Sequence, residues 1–318
     1  MDQRLAELLN QFELERLELN LFRGASRDIG SPQVFGGQVL GQALTAAYAT
    51  VENRRVHSLH AYFLRRGDFN LPIVYQVDRS RDGHSFTSRR VIAVQNGEQI
   101  FTFSASFQQE EPGLDHQTPM PQVALPETLQ DEGRPPMEVL AQLPEKMARF
   151  LQQERPFEFR RADGVNFLHP QPAPPLQRVW LRTVDRLPDD DSLHRCLLAY
   201  VSDYGLLSTA SLPHGGSLFD GHLMMASIDH AMWFHRPFRI DDWLLYAMDS
   251  PSASGARGFA RGAFYTRDGT LVASTAQEGV MRVMPPGSPA AQGDAKQAAN
   301  TAVAAAVAPA TAGANTRT

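Results

Sequence analysis

An internal repeat constrains this chain more than any other feature. The stretch Met225-Ala-Ser-Ile-Asp-His-Ala-Met-Trp-Phe-His-Arg-Pro-Phe238 alternates small or polar residues with apolar ones, as a strand with one buried face does. It also sets a hydroxyl (Ser227) and three ionisable side chains (Asp229, His230 and His235) beside large aromatics. About 170 residues upstream, His57-Ser-Leu-His-Ala-Tyr-Phe-Leu-Arg-Arg66 echoes it. Laying His60-Ala61 on His230-Ala231 brings Phe63 onto Trp233 and Arg66 onto Arg236. Such spacing implies one structural unit built twice.

The remaining chain fits two copies. In the first, a short helix (Leu5, Leu8, Leu9, Phe12) precedes a strand over residues 17–22 and a turn-rich stretch. A helix over 34–48 follows, with small residues at Gly37, Gly41, Ala46 and Ala47 that would let it lie very close to a sheet. Strands are predicted over 57–64, 73–79 extending to 85–95, and 99–108, the last two joined at Asn96-Gly97, a strong hairpin signal. The second copy opens with residues 157–159 and an added strand over 179–184 containing Trp180. A helix then starts near Pro188-Asp-Asp-Asp-Ser192, where proline and acidic side chains suit a helix N-terminus. Strands over 225–234, 243–248, 258–266 and 271–281 complete it, with a hairpin signal at Asp268-Gly269. One central helix with several antiparallel strands, twice, is an α+β arrangement. The expected units are 1–112, a proline-rich connector 113–154 with one helix over 137–153, and 155–284. The tail 285–318 has almost no large apolar side chains and is predicted to be disordered.

Several functions are disfavoured. A net charge of -5 argues against a dedicated nucleic-acid binder. No apolar run reaches the roughly 18 residues that span a bilayer, and the acidic, amphipathic start is unlike a secretory signal. The single cysteine, Cys196, excludes an internal disulfide and a cysteine-based metal cluster. There is no HExxH, no Walker loop and no Gly-x-Ser-x-Gly elbow, and Gly36-Gly37…Gly41 lacks dinucleotide spacing. We expect a cytoplasmic protein with no cofactor and no metal.

Leu193, Cys196, Leu197, Tyr200 and Leu207 fall on one helical face, with Asp203 on or beside it. A carboxylate there is costly to bury unless hydrogen-bonded. Asp203 is therefore either a cap near Gly205 or a general base between helix and sheet. Ser227 and Gln277 are weak candidates alone. His230 and His235 read as a base, as ligands, or as hydrogen-bonded structural groups. Arg65, Arg66, Arg79, Arg81, Arg89, Arg90, Arg257 and Arg261 either meet ligand phosphates or cover solvated strand faces.

Four motifs in order carry a resemblance: Gln33-Val-Phe-Gly-Gly-Gln-Val-Leu-Gly-Gln-Ala-Leu44, His57-Ser-Leu-His-Ala-Tyr-Phe-Leu-Arg65, Ser227-Ile-Asp-His-Ala-Met-Trp-Phe-His-Arg-Pro-Phe238 and Ser274-Thr-Ala-Gln-Glu-Gly-Val-Met-Arg282. Together they resemble the acyl-CoA thioesterase II family over about residues 1–284, that is, both units and the connector between them. The resemblance implies a double hotdog, in which each long helix is wrapped by a curled antiparallel sheet. It further implies an acyl-CoA substrate, a homo-oligomer (a tetramer in the family) and a water positioned by Asp203, Ser227 and Gln277. A Ser-Lys-Leu type peroxisomal signal, seen in some relatives, is not found. In the first half, Gln108 matches Gln277 but its helix lacks a carboxylate, so one active centre in the second half is expected. Two alternatives stand beside hydrolysis. One is an enoyl-CoA hydratase, whose motif Gly67-Asp-Phe-Asn-Leu-Pro72 only partly resembles; the other is a non-catalytic acyl-ligand module.

Overall fold

The computed structural model describes residues 1–29, 33–129, 141, 154–163, 171–215 and 223–285. The helix predicted over 137–153, apart from residue 141, and the tail beyond residue 285 lie outside these. Helix α1 (Gln3–Phe12) starts where the Asp2 carboxylate accepts the Arg4 amide at 2.9 Å. Then come β1 (Glu15–Glu18), β2 (Leu21–Gly24), α2 (Gly36–Tyr48), β3 (Arg55–Phe63), β4 (Ile73–Asp82), β5 (Phe86–Gln95) and β6 (Glu98–Gln108). The second half has β7 (Phe157–Arg161), β8 (Leu176–Thr183), α3 (Asp191–Ser202), β9 (Leu223–Ser227), β10 (Asp229–Phe234), β11 (Leu244–Ser254), β12 (Arg257–Thr266) and β13 (Leu271–Val283). A 3-10 segment, Leu207–His214, follows α3. Asp190 caps α3 through the Ser192 amide at 2.9 Å. Both hairpin signals form turns: Asn96 and Gly97 have φ of 52° and 76°, as a type I′ turn requires, and Gly269 has φ of 91°.

Three local expectations change. Residues 17–22 are not one strand: Leu17 and Glu18 end β1, Leu21 and Phe22 begin β2, and a turn at Leu19 and Asn20 joins the two. The strand over 225–234 is broken at Ile228 into β9 and β10. Leu207 leaves the apolar face of α3, since that helix ends at Ser202.

All thirteen strands described belong to one sheet, ordered β1-β2-β4-β5-β6-β3-β10-β13-β12-β11-β8-β7, with β9 also on β13. The order reads alike from both ends, so each half is a copy of the other joined edge to edge at β3 and β10. Those strands are antiparallel, with His60 opposite Ala231 and Leu59 opposite Met232. The sequence echo is therefore shifted by one residue. Leu59 and Ala61 face the core while His60 is exposed; His230 and Met232 face the core while Trp233 is exposed. Matching the faces puts Leu59, not His60, in the position of His230, and a local twofold axis then passes between His60 and Ala231.

Helix α2 packs on β2, β4, β5 and β6, and the 3-10 segment covers β8, β11, β12 and β13. Between them α3 lies on α2 and β3, buried at every residue from His194 to Ser202. The small residues of α2 serve this helix pair rather than a sheet. A Cβ at Gly37 would stand 2.1 Å from the Tyr200 carbonyl oxygen, and one at Gly41 would stand 3.1 Å from that of Cys196. One core runs through both halves, joining Leu40, Leu44, Leu59 and Phe103 to Leu197, Val201, Met232 and Phe264. On the outer side, Trp180, Trp243, Leu245 and Tyr265 form a smaller cluster covered by Met120, Val123 and Leu129. The described part of the connector is thus fastened to the second half. Trp180 Nε1 donates to the Ala124 carbonyl at 2.9 Å, and Gln117 bridges Gly269 and Leu271.

Candidate active site

Gln277 is fully buried on the inner face of β13, and a cluster converges on its amide. Its Nε2 lies 2.7 Å from Asp203 Oδ1, 3.1 Å from Ser227 Oγ and 3.2 Å from His230 Nδ1. Its Oε1 is buried and has no hydrogen-bond partner among the described residues.

The break at Ile228 makes this convergence possible. Ser227 and His230 are three apart, so a regular strand would point them to opposite faces. Here β13 pairs Gly279 with Ser227 but Ala276 with Ala231, a one-residue slip between the two segments. The slip is a β-bulge, a feature that re-aims side chains near functional sites. The Asp229 carboxylate holds it by accepting the Glu278 amide at 2.7 Å, while Ile228 N–H donates to the Glu278 carbonyl at 2.9 Å. Both Ser227 and His230 thereby reach Gln277.

Asp203 occupies the C-terminal cap of α3, with its amide donating to the Val201 carbonyl. The two readings of this residue are compatible: it stands at the helix end and its carboxylate enters the cluster. Desolvation pushes its pKa from 3.8 up to about 6. Hydrogen bonds from Gln277, the Gly37 backbone and Ser227 oppose that rise, in that order. The cluster is not confined to the second half. Helices α2 and α3 run antiparallel, so the N-terminus of α2 meets the C-terminus of α3. A Cβ at Gly36 would come 2.7 Å from Asp203 Oδ2 and 3.0 Å from the Phe63 ring. The positive end of α2 favours a carboxylate there.

Beyond Gln277 the network continues inward. His230 is completely buried, and its Nε2 lies 3.0 Å from Ser202 Oγ. The Ser202 hydroxyl reaches the Ala199 carbonyl at 2.8 Å, and Tyr246 donates to the Ser202 carbonyl at 2.8 Å. Burial drives the His230 pKa down to about 3, so the ring is neutral near pH 7.

The structure thus brings Asp203, Ser227 and Gln277 together and leaves other candidates outside. His235 is outward-facing, 2.9 Å from Ser274 Oγ. Asp68 holds its own turn through the Asn70 amide, in an exposed loop. Of the arginines, Arg89 is buried against Thr50 and Asp82, while Arg257 and Arg261 pair with Glu278 and Asp249. Arg65 pairs with Glu98. These arginines are occupied by neighbours within the sheet. Among the described residues no group of three or more His, Cys, Asp or Glu side chains is placed to hold a metal ion.

At the other end of the helix pair lies a cleft of about 750 Å³, lined by Tyr48, Gln108, Glu110, Asp190 and Asp191 among others. It is the twofold counterpart of the cluster without its groups. The α2 cap there is Ala49, where α3 has Asp203. Gln108 does not correspond to Gln277. Gln277 is the eighth residue after the hairpin glycine Gly269, and the eighth after Gly97 is Ala105.

Comparison with known proteins gives this geometry its context. Residues 24–108 match the family model described as the acyl-CoA thioesterase N-terminal domain, and residues 148–280 match the acyl-CoA thioesterase model. Acyl-CoA thioesterase 2 of Haemophilus influenzae is 41% identical over 283 residues, covering 89% of this chain and 99% of that protein. The chain belongs to the acyl-CoA thioesterase family. Acyl-coenzyme A thioesterase 8 of Homo sapiens is 42% identical over 293 residues, covering 89% of this chain and 91% of that protein. Among solved structures, the acyl-CoA thioesterase II TesB2 from Mycobacterium marinum superposes with a TM-score of 0.72 at 42% identity, covering 88% of this chain and 99% of that one. A hot dog fold protein from Alicyclobacillus acidocaldarius matches at a TM-score of 0.72 with 18% identity over 88% of this chain and 99% of that one, a likeness of fold alone. The double hotdog architecture expected from the sequence is what the thioesterase scaffold shows.

Sequence reasoning missed Gly36, Gly37 and Phe63, which close the cluster from the first half, and Ser202 behind it. The paired glycines at the start of α2 were the available signal. Of the two, only Gly37 carries the close-packing expectation, and spacing alone does not tell that the approach falls at the N-terminal end of α2, against α3.

Proposed function

We propose that the chain hydrolyses acyl-CoA thioesters to the free acid and CoA, using a water held by Asp203, Ser227 and Gln277. The observation that carries this reading is the meeting of Asp203 and Ser227 on one Gln277 amide nitrogen, at 2.7 and 3.1 Å. With a pKa of about 6, Asp203 is mostly ionised near pH 7, yet basic enough to take a proton from water. The Gln277 Oε1 and the Ser227 hydroxyl fix the water's orientation. Water oxygen adds to the thioester carbonyl carbon while its proton passes to Asp203. The tetrahedral intermediate then expels the CoA sulfur, which leaves with that proton. The first turn of α2, with its positive dipole end at the cluster, is where negative charge on the carbonyl oxygen is stabilised. No covalent enzyme intermediate is required, and one active centre serves each chain, at the C-terminal end of α3.

Release of free thiol from a series of acyl-CoA lengths tests the activity. Hydration of an enoyl-CoA without thiol release, or binding without turnover, would replace hydrolysis with one of the alternatives. The division into units 1–112 and 155–284 is supported by the palindromic strand order. Assembly into homo-oligomers, a tetramer by analogy with the family, is supported by Tyr62 and Trp233, which are 55% and 37% exposed on the outer face of the β3–β10 seam. Light scattering after size exclusion checks it. Residence in the cytoplasm fits the lone, buried Cys196. No helix among the described residues is long and apolar enough to cross a membrane.

A further inference from the structure

We infer that His230 and Ser202 are positioning residues that lock the Gln277 amide in one orientation and so decide which of its atoms faces the reacting water. The inference rests on the reading of Gln277 given above. It begins with donors and acceptors. The single Ser202 hydroxyl proton goes to the Ala199 carbonyl at 2.8 Å, so toward the imidazole Ser202 Oγ can only accept. The proton of His230 therefore sits on Nε2, which donates to Ser202 at 3.0 Å, and Nδ1 is a bare acceptor. A bare Nδ1 at 3.2 Å from Gln277 demands the amide NH₂ and rejects its oxygen. The Asp203 carboxylate at 2.7 Å makes the same demand from the other side. Both amide protons are thereby committed, one to His230 and one to Asp203. Ser227 Oγ, 3.1 Å from the same Nε2, is a further acceptor on the NH₂ side, and its own hydroxyl proton goes to Asp203. What remains is Oε1, buried and without a partner among the described residues. A water hydrogen-bonded there has its lone pairs directed away from the amide.

The other half of the molecule shows that the scaffold has no structural need for this polar pair. The local twofold places Leu59 in the position of His230, and hairpin counting places Ala105 in that of Gln277. Leu59 and Ala105 face each other across β3 and β6. Both are buried, Leu59 completely. An apolar pair fills the site without the chemistry, so a buried imidazole and amide are explained by what they orient.

The test is a double-mutant cycle on the full chain. His230→Leu removes the acceptor while supplying the residue that the first half uses. It should lower kcat roughly tenfold to a hundredfold with KM nearly unchanged, the effect of a misoriented water. His230→Asn, whose carbonyl oxygen can take the place of Nδ1, should recover most of the loss. In a Gln277→Ala background, His230→Leu should cost nothing further, because its effect passes through the amide. Losses that multiply in the double variant, or His230→Leu with full turnover beside a slow Gln277→Ala, would overturn the role of His230 alone. A fully active Gln277→Ala would sink the reading of the site itself. A ¹⁵N NMR spectrum of the unmutated protein gives a readout free of folding effects. It should show His230 protonated on Nε2 near pH 7, and protonation on Nδ1 would overturn the inference.

Discussion

Replacing Asp203 with Asn should make the protein slower and more stable together. Desolvation lifts the carboxyl pKa from 3.8 to about 6, which corresponds to about 3 kcal/mol of native-state cost for holding the anion. Because the folded pKa lies above the unfolded one, the native state binds this proton more tightly. Ionisation of Asp203 therefore destabilises the fold fully above about pH 6. The cost shrinks as pH falls toward 3.8 and vanishes below it. Asparagine removes the charge but cannot accept from Gln277 and Gly37 with both terminal atoms, which returns about 1 kcal/mol. A net gain of about 1–2 kcal/mol at pH 8 is expected from urea unfolding, with the advantage gone by about pH 4.5. Over the same substitution, thiol release should fall at least about a hundredfold in kcat. A variant less stable than the parent at pH 8, or a stability difference that ignores pH, would show that Asp203 is not a desolvated anion. Near-normal turnover would remove it from the mechanism.

Three further outcomes are expected. Since Asp203 must be ionised to accept the proton, kcat/KM should fall tenfold per pH unit below about 6; an acid limb below about 4.5 in a pH–rate profile would contradict the shift. Gly37→Ala drives a methyl group into the Tyr200 carbonyl and should cost about 1–3 kcal/mol in urea unfolding, with a loss of kcat as α2 moves from Asp203; a neutral variant would refute the contact. Asp229→Ala removes the carboxylate that accepts the Glu278 amide at the bulge, so Ser227 should lose its place beside Gln277 and kcat should drop with the fold retained by circular dichroism, whereas unchanged kcat would show that Asp229 does not hold the bulge.

Much of the architecture was legible because periodicity and turn chemistry are local. The Asn96-Gly97 and Asp268-Gly269 turns and the cap at Asp190 all report on neighbouring residues alone. The trio Asp203, Ser227 and Gln277 was found through resemblance, and the residues by themselves left each one weak. Strand parity explains why: without the bulge, Ser227 and His230 belong on opposite faces, and no spacing announces a one-residue slip. The repeat was visible but misaligned by one, because letter matching joined His60 to His230 although they face opposite sides of the sheet. The same misalignment made Gln108 the partner of Gln277 in place of Ala105. The closure of the site by Gly36 and Gly37 depends on how two distant helices dock, and the fastening of residues 115–129 to the second sheet depends on the outer face of Trp180. Neither is a local property.

The seam at His60 and Ala231 has a consequence for how such a molecule can change. In an assembly of two identical subunits, every substitution is written at both ends of the helix pair. A chain that carries both copies writes it once. Ala49, Leu59 and Ala105 could therefore settle into plain packing at one end while Asp203, His230 and Gln277 kept the reactive groups at the other, and the molecule acquired a front and a back.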